Sequence, residues 1–172
     1  MMKYLLFAIC TSVLISCGDK QQKPVDANEA YFESIKDMTG IEFDQRLMDN
    51  DSAQFILYDN PDGDQKRYTR FYKAYGAKDT LMLRILSDGC NKKFIRLEQL
   101  KPCRSEGKVH LFENGNPKQT LYFSNRGDSC NHLYFIKDGW FYYMDMDSTT
   151  AGLINQIRPL AKKPEGDSVT ED

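Results

Sequence analysis

The chain has 172 residues, 41% of them hydrophobic, and 23 Lys and Arg against 25 Asp and Glu give a formal net charge of −2. That length suffices for one domain with its own core. The mild acidity, with no run of like charge, argues against nucleic acid as a partner, because phosphate recognition needs a concentrated basic surface. Aromatic residues make up 12% of the chain, ten Tyr and ten Phe but one Trp, a composition that suits half-buried sheet surfaces and binding faces alike.

In chain order, Met1 to Lys3 give a short positive start, Tyr4 to Ile15 an apolar run, and Ser16 a small residue before Cys17. This is the pattern of a secretory signal that is removed. The run is too short to cross a hydrocarbon core of about 30 Å as a helix. Leu14-Ile15-Ser16-Cys17 resembles the lipobox of bacterial lipoproteins. The resemblance implies cleavage before Cys17, a diacylglycerol on its thiol and an acyl chain on the new amine. Acyl chains contribute about 0.8 kcal/mol per buried methylene, so several of them hold a protein to a membrane without a spanning helix. The expected location is the bacterial cell envelope, at the outer membrane, facing the periplasm or the outside. Loss of residues 1–16 removes Lys3 and moves the net charge from −2 to −3. Residues 17–27 then read as lipidated cysteine and polar tether, 28–161 as one β-rich domain, and 162–172, with Pro164 and Gly166, as a polar tail.

Within the domain, Tyr31, Phe32, Ile35 and Met38 make one helical stripe, with Asp26 and Glu29 as a capping pair and Gly40 as a stop. Strand patterns follow at 53–59, 67–75, 108–113, 119–124, 132–137 and 140–146. Turn chemistry separates them, notably Pro61-Asp62-Gly63, Asn114-Gly115, Arg126-Gly127-Asp128 and Asp138-Gly139. The last four strands predict a meander. Residues 80–86 fit either period. Leu81, Leu83 and Ile85 alternate as a strand, whereas Leu81, Met82, Ile85 and Leu86 satisfy a helix. Residues 94–97 are equally ambiguous. The regular spacing favours strands, and so does an echo of residues 78–91 in 118–131, identical at six of fourteen positions. Leu153, Ile154 and Ile157 form a closing helical stripe, capped by Asp147 or Ser148 and ended by Pro159. The expected fold is mainly β. It is an antiparallel meander of about 6–8 strands, as a curved sheet or small up-and-down barrel, with an amphipathic helix at each end. The alternative is an α+β arrangement with a helix near 79–87.

With Cys10 in the leader and Cys17 lipidated, Cys90, Cys103 and Cys130 remain for an oxidising compartment. In an up-and-down sheet alternate loops lie at the same end. Cys103 precedes the strand at 108 and Cys130 the strand two further on, so the predicted disulfide is Cys103–Cys130, with Cys90 unpaired. Cys130-Asn131-His132 is a lone C-x-H fragment without the paired ligands of structural zinc, and no metal is expected.

Catalytic signals are sparse. His110 and His132 are the available general bases or haem ligands, and both sit at strand positions. No serine lies in a G-x-S-x-G elbow, and Cys90 has no histidine near it in sequence. Asp59, Asp62 and Asp64 cluster in a turn but lack the spacing of a calcium loop. Arg126-Gly127-Asp128-Ser129 contains an adhesion tripeptide that is also ordinary turn composition. Aromatics are densest at Tyr122, Phe123, Tyr134, Phe135 and Trp140 to Tyr143. From these the candidate binding face is Tyr122, Tyr134, Trp140 and Tyr142; packing of the sheet on both faces is the competing explanation. The sequence thus points to a non-enzymatic, membrane-anchored lipoprotein that binds another macromolecule, with a protein as the expected partner, as an accessory, inhibitor, immunity or adhesion module, with no cofactor. A lipid or haem carrier with a calycin-like barrel is the alternative, and a thiol hydrolase using Cys90 a third.

Overall fold

A computed structural model describes residues 27–59, 61 and 72–163. Its elements are α1 (Ala27–Ile35), α2 (Gly40–Phe43), a 3-10 turn (Gln45–Leu47), β1 (Ser52–Tyr58), β2 (Tyr72–Ala77), α3 (Thr80–Cys90), β3 (Phe94–Leu97), β4 (Gly107–Glu113), β5 (Asn116–Asn125), a second 3-10 turn (Asp128–Cys130), β6 (Asn131–Lys137), β7 (Trp140–Asp145) and α4 (Ser148–Ile157). The seven strands form one antiparallel sheet in the order β2-β1-β4-β5-β6-β7-β3.

The meander from β4 to β7 is the part the turn residues specify. Asn114-Gly115 (φ 51° and 76°) and Asp138-Gly139 (φ 51° and 80°) take the left-handed pair of conformations that matches a two-residue hairpin to the twist of its strands. The sheet does not close: β2 and β3 lie at its two edges. The structure is therefore the open-sheet form of the expectation, with seven strands among the described residues, and not the barrel.

The strand expected at 80–86 is helix α3. Asp79 caps it, its Oδ1 accepting from the backbone N–H groups of Leu81 (2.8 Å) and Met82 (3.1 Å). Leu86, Gly89 and Cys90, spaced three and four apart, are buried, while Leu81 is exposed. Connectivity gives the reason. β2 and β3 sit six inter-strand spacings apart, each about 4.8 Å, so residues 78–93 must cross the sheet instead of joining it. The echo between 78–91 and 118–131 pairs a helix with a strand and carries no structural repeat.

All four helices lie against the sheet face bearing Phe55, Val109, Leu121, Phe123, Leu133, Phe135, Tyr142 and Met144, and together they form the core. α3 and α4 approach closely at Gly89, where a Cβ would come within 2.8 Å of Thr150 Oγ1 and 3.2 Å of Leu133. Asp147 caps α4 through the Thr150 N–H at 2.8 Å, and the helix ends before Pro159 as expected. Gly40 does not stop α1. It opens α2 behind a Thr39–Glu42 capping box, because a side chain there would collide with Met144 and the Cys90 carbonyl. The Asp26 cap and most of the strand expected at 67–75 lie outside the described residues, as do Cys17, Asp62 and Asp64.

Candidate functional site

Strand alternation assigns each candidate residue to a face. Tyr134 pairs with Tyr143 and with Tyr122, whereas Phe135 pairs with Tyr142 and Lys137 with Trp140. Tyr122 and Tyr134 therefore share the face opposite the helices, and Trp140 and Tyr142 point into the helix layer. The structure brings together the first two of the four candidate residues and separates them from the other two. Tyr142 is 1% exposed and sits among Phe43, Phe94 and Phe135, stacked on Phe135 at 5.1 Å. Trp140 packs against the core and holds the Arg96 guanidinium over its ring at 3.9 Å.

On the opposite face Tyr122 and Tyr134 stack at 5.0 Å with 16° between ring planes. Over them runs the connection from β3 to β4, residues 98–106, as a strap. Several contacts fix it. The Lys101 N–H donates to Tyr143 Oη at 2.9 Å, the Ser105 and Tyr134 hydroxyls share a hydrogen bond of 2.8 Å, and Cys103 is disulfide-bonded to Cys130 with Cα atoms 5.5 Å apart. The pairing expected from loop parity is the one observed, and Cys90 is free and buried.

Two clefts flank this strap. One, about 330 Å³, has the tyrosine pair, Tyr58, Pro61 and Leu100 in its wall. The other, about 500 Å³, is lined by Arg126, Ser129 and the disulfide. Lys101, Pro102, Cys103 and Arg104 line both. Beyond the strap the same face presents Ile95, Leu97, Ile136 and Phe141 on three adjacent strands, with Ile95 51% and Ile136 43% exposed. The sequence offered one route to the strap: the nine residues of 98–106 carry a half-cystine whose predicted bond must draw them across the sheet end. Their contact with the tyrosines depends on the three-dimensional path.

The remaining chemistry is inert or dispersed. Cys90 is fully buried and its thiol is pushed up to about 12 by that burial, so it is not a ready nucleophile. Ser124, His132 and Asp145 are cross-strand neighbours on β5, β6 and β7, the residue types of a hydrolytic triad. Yet Ser124 and His132 are buried, and neither the Ser124 hydroxyl nor either ring nitrogen of His132 has a hydrogen-bond partner among the described residues. Burial, then the charge of Lys101, lowers His132 to about 4, and its ring meets Tyr143 edge-on at 5.0 Å. His110 instead bonds Thr120 at 2.9 Å, four residues along β5 from Ser124, about 13 Å away at strand rise. The two histidines do not converge on a shared ligand. Cys130 is taken by its disulfide, and no group of three His, Cys, Asp or Glu with metal-binding geometry occurs among the described residues. Arg126-Gly127-Asp128 forms the β5–β6 turn, with Gly127 at φ 76°.

Compared with models of known protein families, with characterised proteins and with solved structures, the chain matches none.

Proposed function

We propose that this protein is a lipid-anchored module of the bacterial envelope whose sheet face opposite the described helices binds another protein. The observation that carries this reading is the half-buried Tyr122, backed by a stack on the buried Tyr134, beside a strap held by a disulfide and hydrogen bonds. Tyrosines offer large contact area at low conformational cost, and rigid scaffolding reduces the entropy lost on binding. The neighbouring strip of Ile95, Leu97, Ile136 and Phe141 extends the apolar surface such an interface needs. Anchoring in this reading runs through the lipid on Cys17, which the lipobox-like Leu14-Ile15-Ser16-Cys17 supports.

Replacing Tyr122 with a photo-crosslinking phenylalanine in cells tests the reading, followed by mass spectrometry of what is captured. One dominant protein captured at Tyr122, and not at a control position on α3 such as Arg84, is the expected result. Equal capture at both positions, or none at Tyr122, would overturn it.

A further inference from the structure

We infer that residues 98–105 form a lid over the buried Ser124–His132 pair, locked shut by Cys103–Cys130, and that reduction of this disulfide opens it while the sheet stays folded. The lid works this way whether or not a protein binds the face. Running from the edge strand β3 to β4, the strap crosses β7, β6 and β5. Ser124 and His132 face each other across β5 and β6, on the side the strap crosses, and are 0% and 1% exposed. Strap contacts bracket His132. Lys101 bonds Tyr143, whose ring meets His132 edge-on at 5.0 Å. Ser105 bonds Tyr134, two residues further along β6, and Cys103 is bonded to Cys130, two residues before it. The Ser124 hydroxyl and both ring nitrogens of His132 have no hydrogen-bond partner among the described residues. Burying such groups removes their water and returns no bond in exchange. Groups that favour water therefore lie beneath a segment that shuts water out.

The strap can move without the core. Residues 98–105 belong to no helix or strand, none of them is a buried hydrophobic residue, and Leu100 stands exposed. The hinge is at Glu106, whose N–H donates to the Phe123 carbonyl at 2.8 Å and whose carbonyl accepts the Tyr58 N–H at 2.9 Å. When the Lys101–Tyr143 and Ser105–Tyr134 bonds part, water replaces each partner. The disulfide differs in being covalent: while it stands, the middle of the strap cannot leave the turn that holds Cys130. Both half-cystines are half-buried and line the cleft of about 500 Å³, so a reductant has access to them. A dithiol, small or carried by a protein, supplies the electrons. One of its thiolates attacks a sulfur of the bond to form a mixed disulfide, and its second sulfur displaces the protein's. The dithiol leaves as a disulfide, and its two electrons and two protons remain on Cys103 and Cys130 as thiols. Cys90, free and buried, takes no part.

The test compares the full chain, labelled with nitrogen-15, in three forms: oxidised, treated with dithiothreitol without denaturant, and carrying Cys103→Ser with Cys130→Ser. His132 is the reporter. Under the closed strap it is lowered to about 4, first by burial and then by Lys101 of the strap, with Asp145 on β7 opposing. Opening should return its NMR titration midpoint toward the ordinary 6.5. The Lys101 N–H should exchange with deuterium at least about tenfold faster in the reduced and double-Ser forms. The amide signals of Val109 and Leu121, on the central strands β4 and β5, should stay at their folded positions throughout. Four results overturn the inference. One is a His132 midpoint near 4 in all three forms, since the strap is then shut without its disulfide. Another is a midpoint already near 6.5 in the oxidised protein, since the pair is then uncovered. A third is loss of the folded Val109 and Leu121 signals with the disulfide, which makes the bond a clamp on the whole fold. The last is failure of dithiothreitol to reduce the bond in the folded protein.

Discussion

Ser105 and Tyr134, 29 positions apart in the chain, share a hydroxyl–hydroxyl hydrogen bond of 2.8 Å, and through it the strap is tied to the middle of the open sheet face. The same tyrosine stacks on Tyr122. The group that shapes the cleft is therefore also one that holds its cover in place.

The disulfide is the strongest of the strap's ties. Cys103 and Cys130 are separated by 27 positions, and closing a loop of that size removes about 3.5 kcal/mol of freedom from the unfolded chain. Replacing both with Ser should lower the unfolding free energy by about that amount in a urea titration. Tyr134→Phe, which removes the hydroxyl that bonds Ser105, should cost about 1 kcal/mol.

His132 makes stability depend on pH. Its unfolded value is near 6.5 and its folded value near 4, burial being the first cause, with Lys101 adding to it and Asp145 opposing. The unfolded chain therefore binds the extra proton between those values. The stabilisation is complete above pH 6.5 and is lost as pH falls toward 4, by about 2–3 kcal/mol at pH 4.5. Urea titrations at pH 7.5 and 4.5 should show this drop, and His132→Phe should reduce it by that amount. His110, lowered by burial and by Lys108, and the carboxylates account for what remains in the variant. An unchanged drop in His132→Phe would assign the dependence elsewhere.

Gly107 and Gly76 should respond differently to the same change. A Cβ on Gly107 would meet the Ile56 carbonyl oxygen and the Phe123 ring, whereas nothing lies within 4 Å of one on Gly76. Gly107→Ala should cost about 1–3 kcal/mol through overpacking against a backbone atom that cannot rotate away. Gly76→Ala should stay within about 1 kcal/mol of the parent, and a gain is expected because glycine weakens a strand. Melting both variants beside the parent checks the contrast.

Cys90 should be silent toward a thiol reagent in the folded protein. Its thiol is fully buried and raised to about 12, so thiolate is scarce at neutral pH. Reaction with a disulfide reagent is expected to follow unfolding, with its rate rising as urea is added. Rapid labelling of the native protein would show that α3 opens locally.

Local chemistry alone made the β4–β7 meander legible. Asn114-Gly115 and Asp138-Gly139 demand their turn conformations whatever surrounds them, and alternation along 132–137 and 140–145 gives two faces before any partner strand is known. Once the meander is granted, loop parity pairs Cys103 with Cys130 and leaves Cys90 over. Asp147 and Pro159 mark α4 because a cap and a missing N–H act within one turn.

Three features were decided by the tertiary structure. Residues 80–90 carry patterns for both periods, and the helix prevails because the chain must travel from one sheet edge to the other across a face that needs covering. Closure was undetermined, since local pattern says nothing about which strands become edges. Alternation within β7 already puts Trp140 and Tyr142 on one face; that Tyr122 and Tyr134 share the other followed from cross-strand register, which alternation within a single strand cannot supply. The face opposite the helices, with its strap, exists only because residues from β5, β6 and the 98–106 connection meet there, and their meeting depends on non-local pairing.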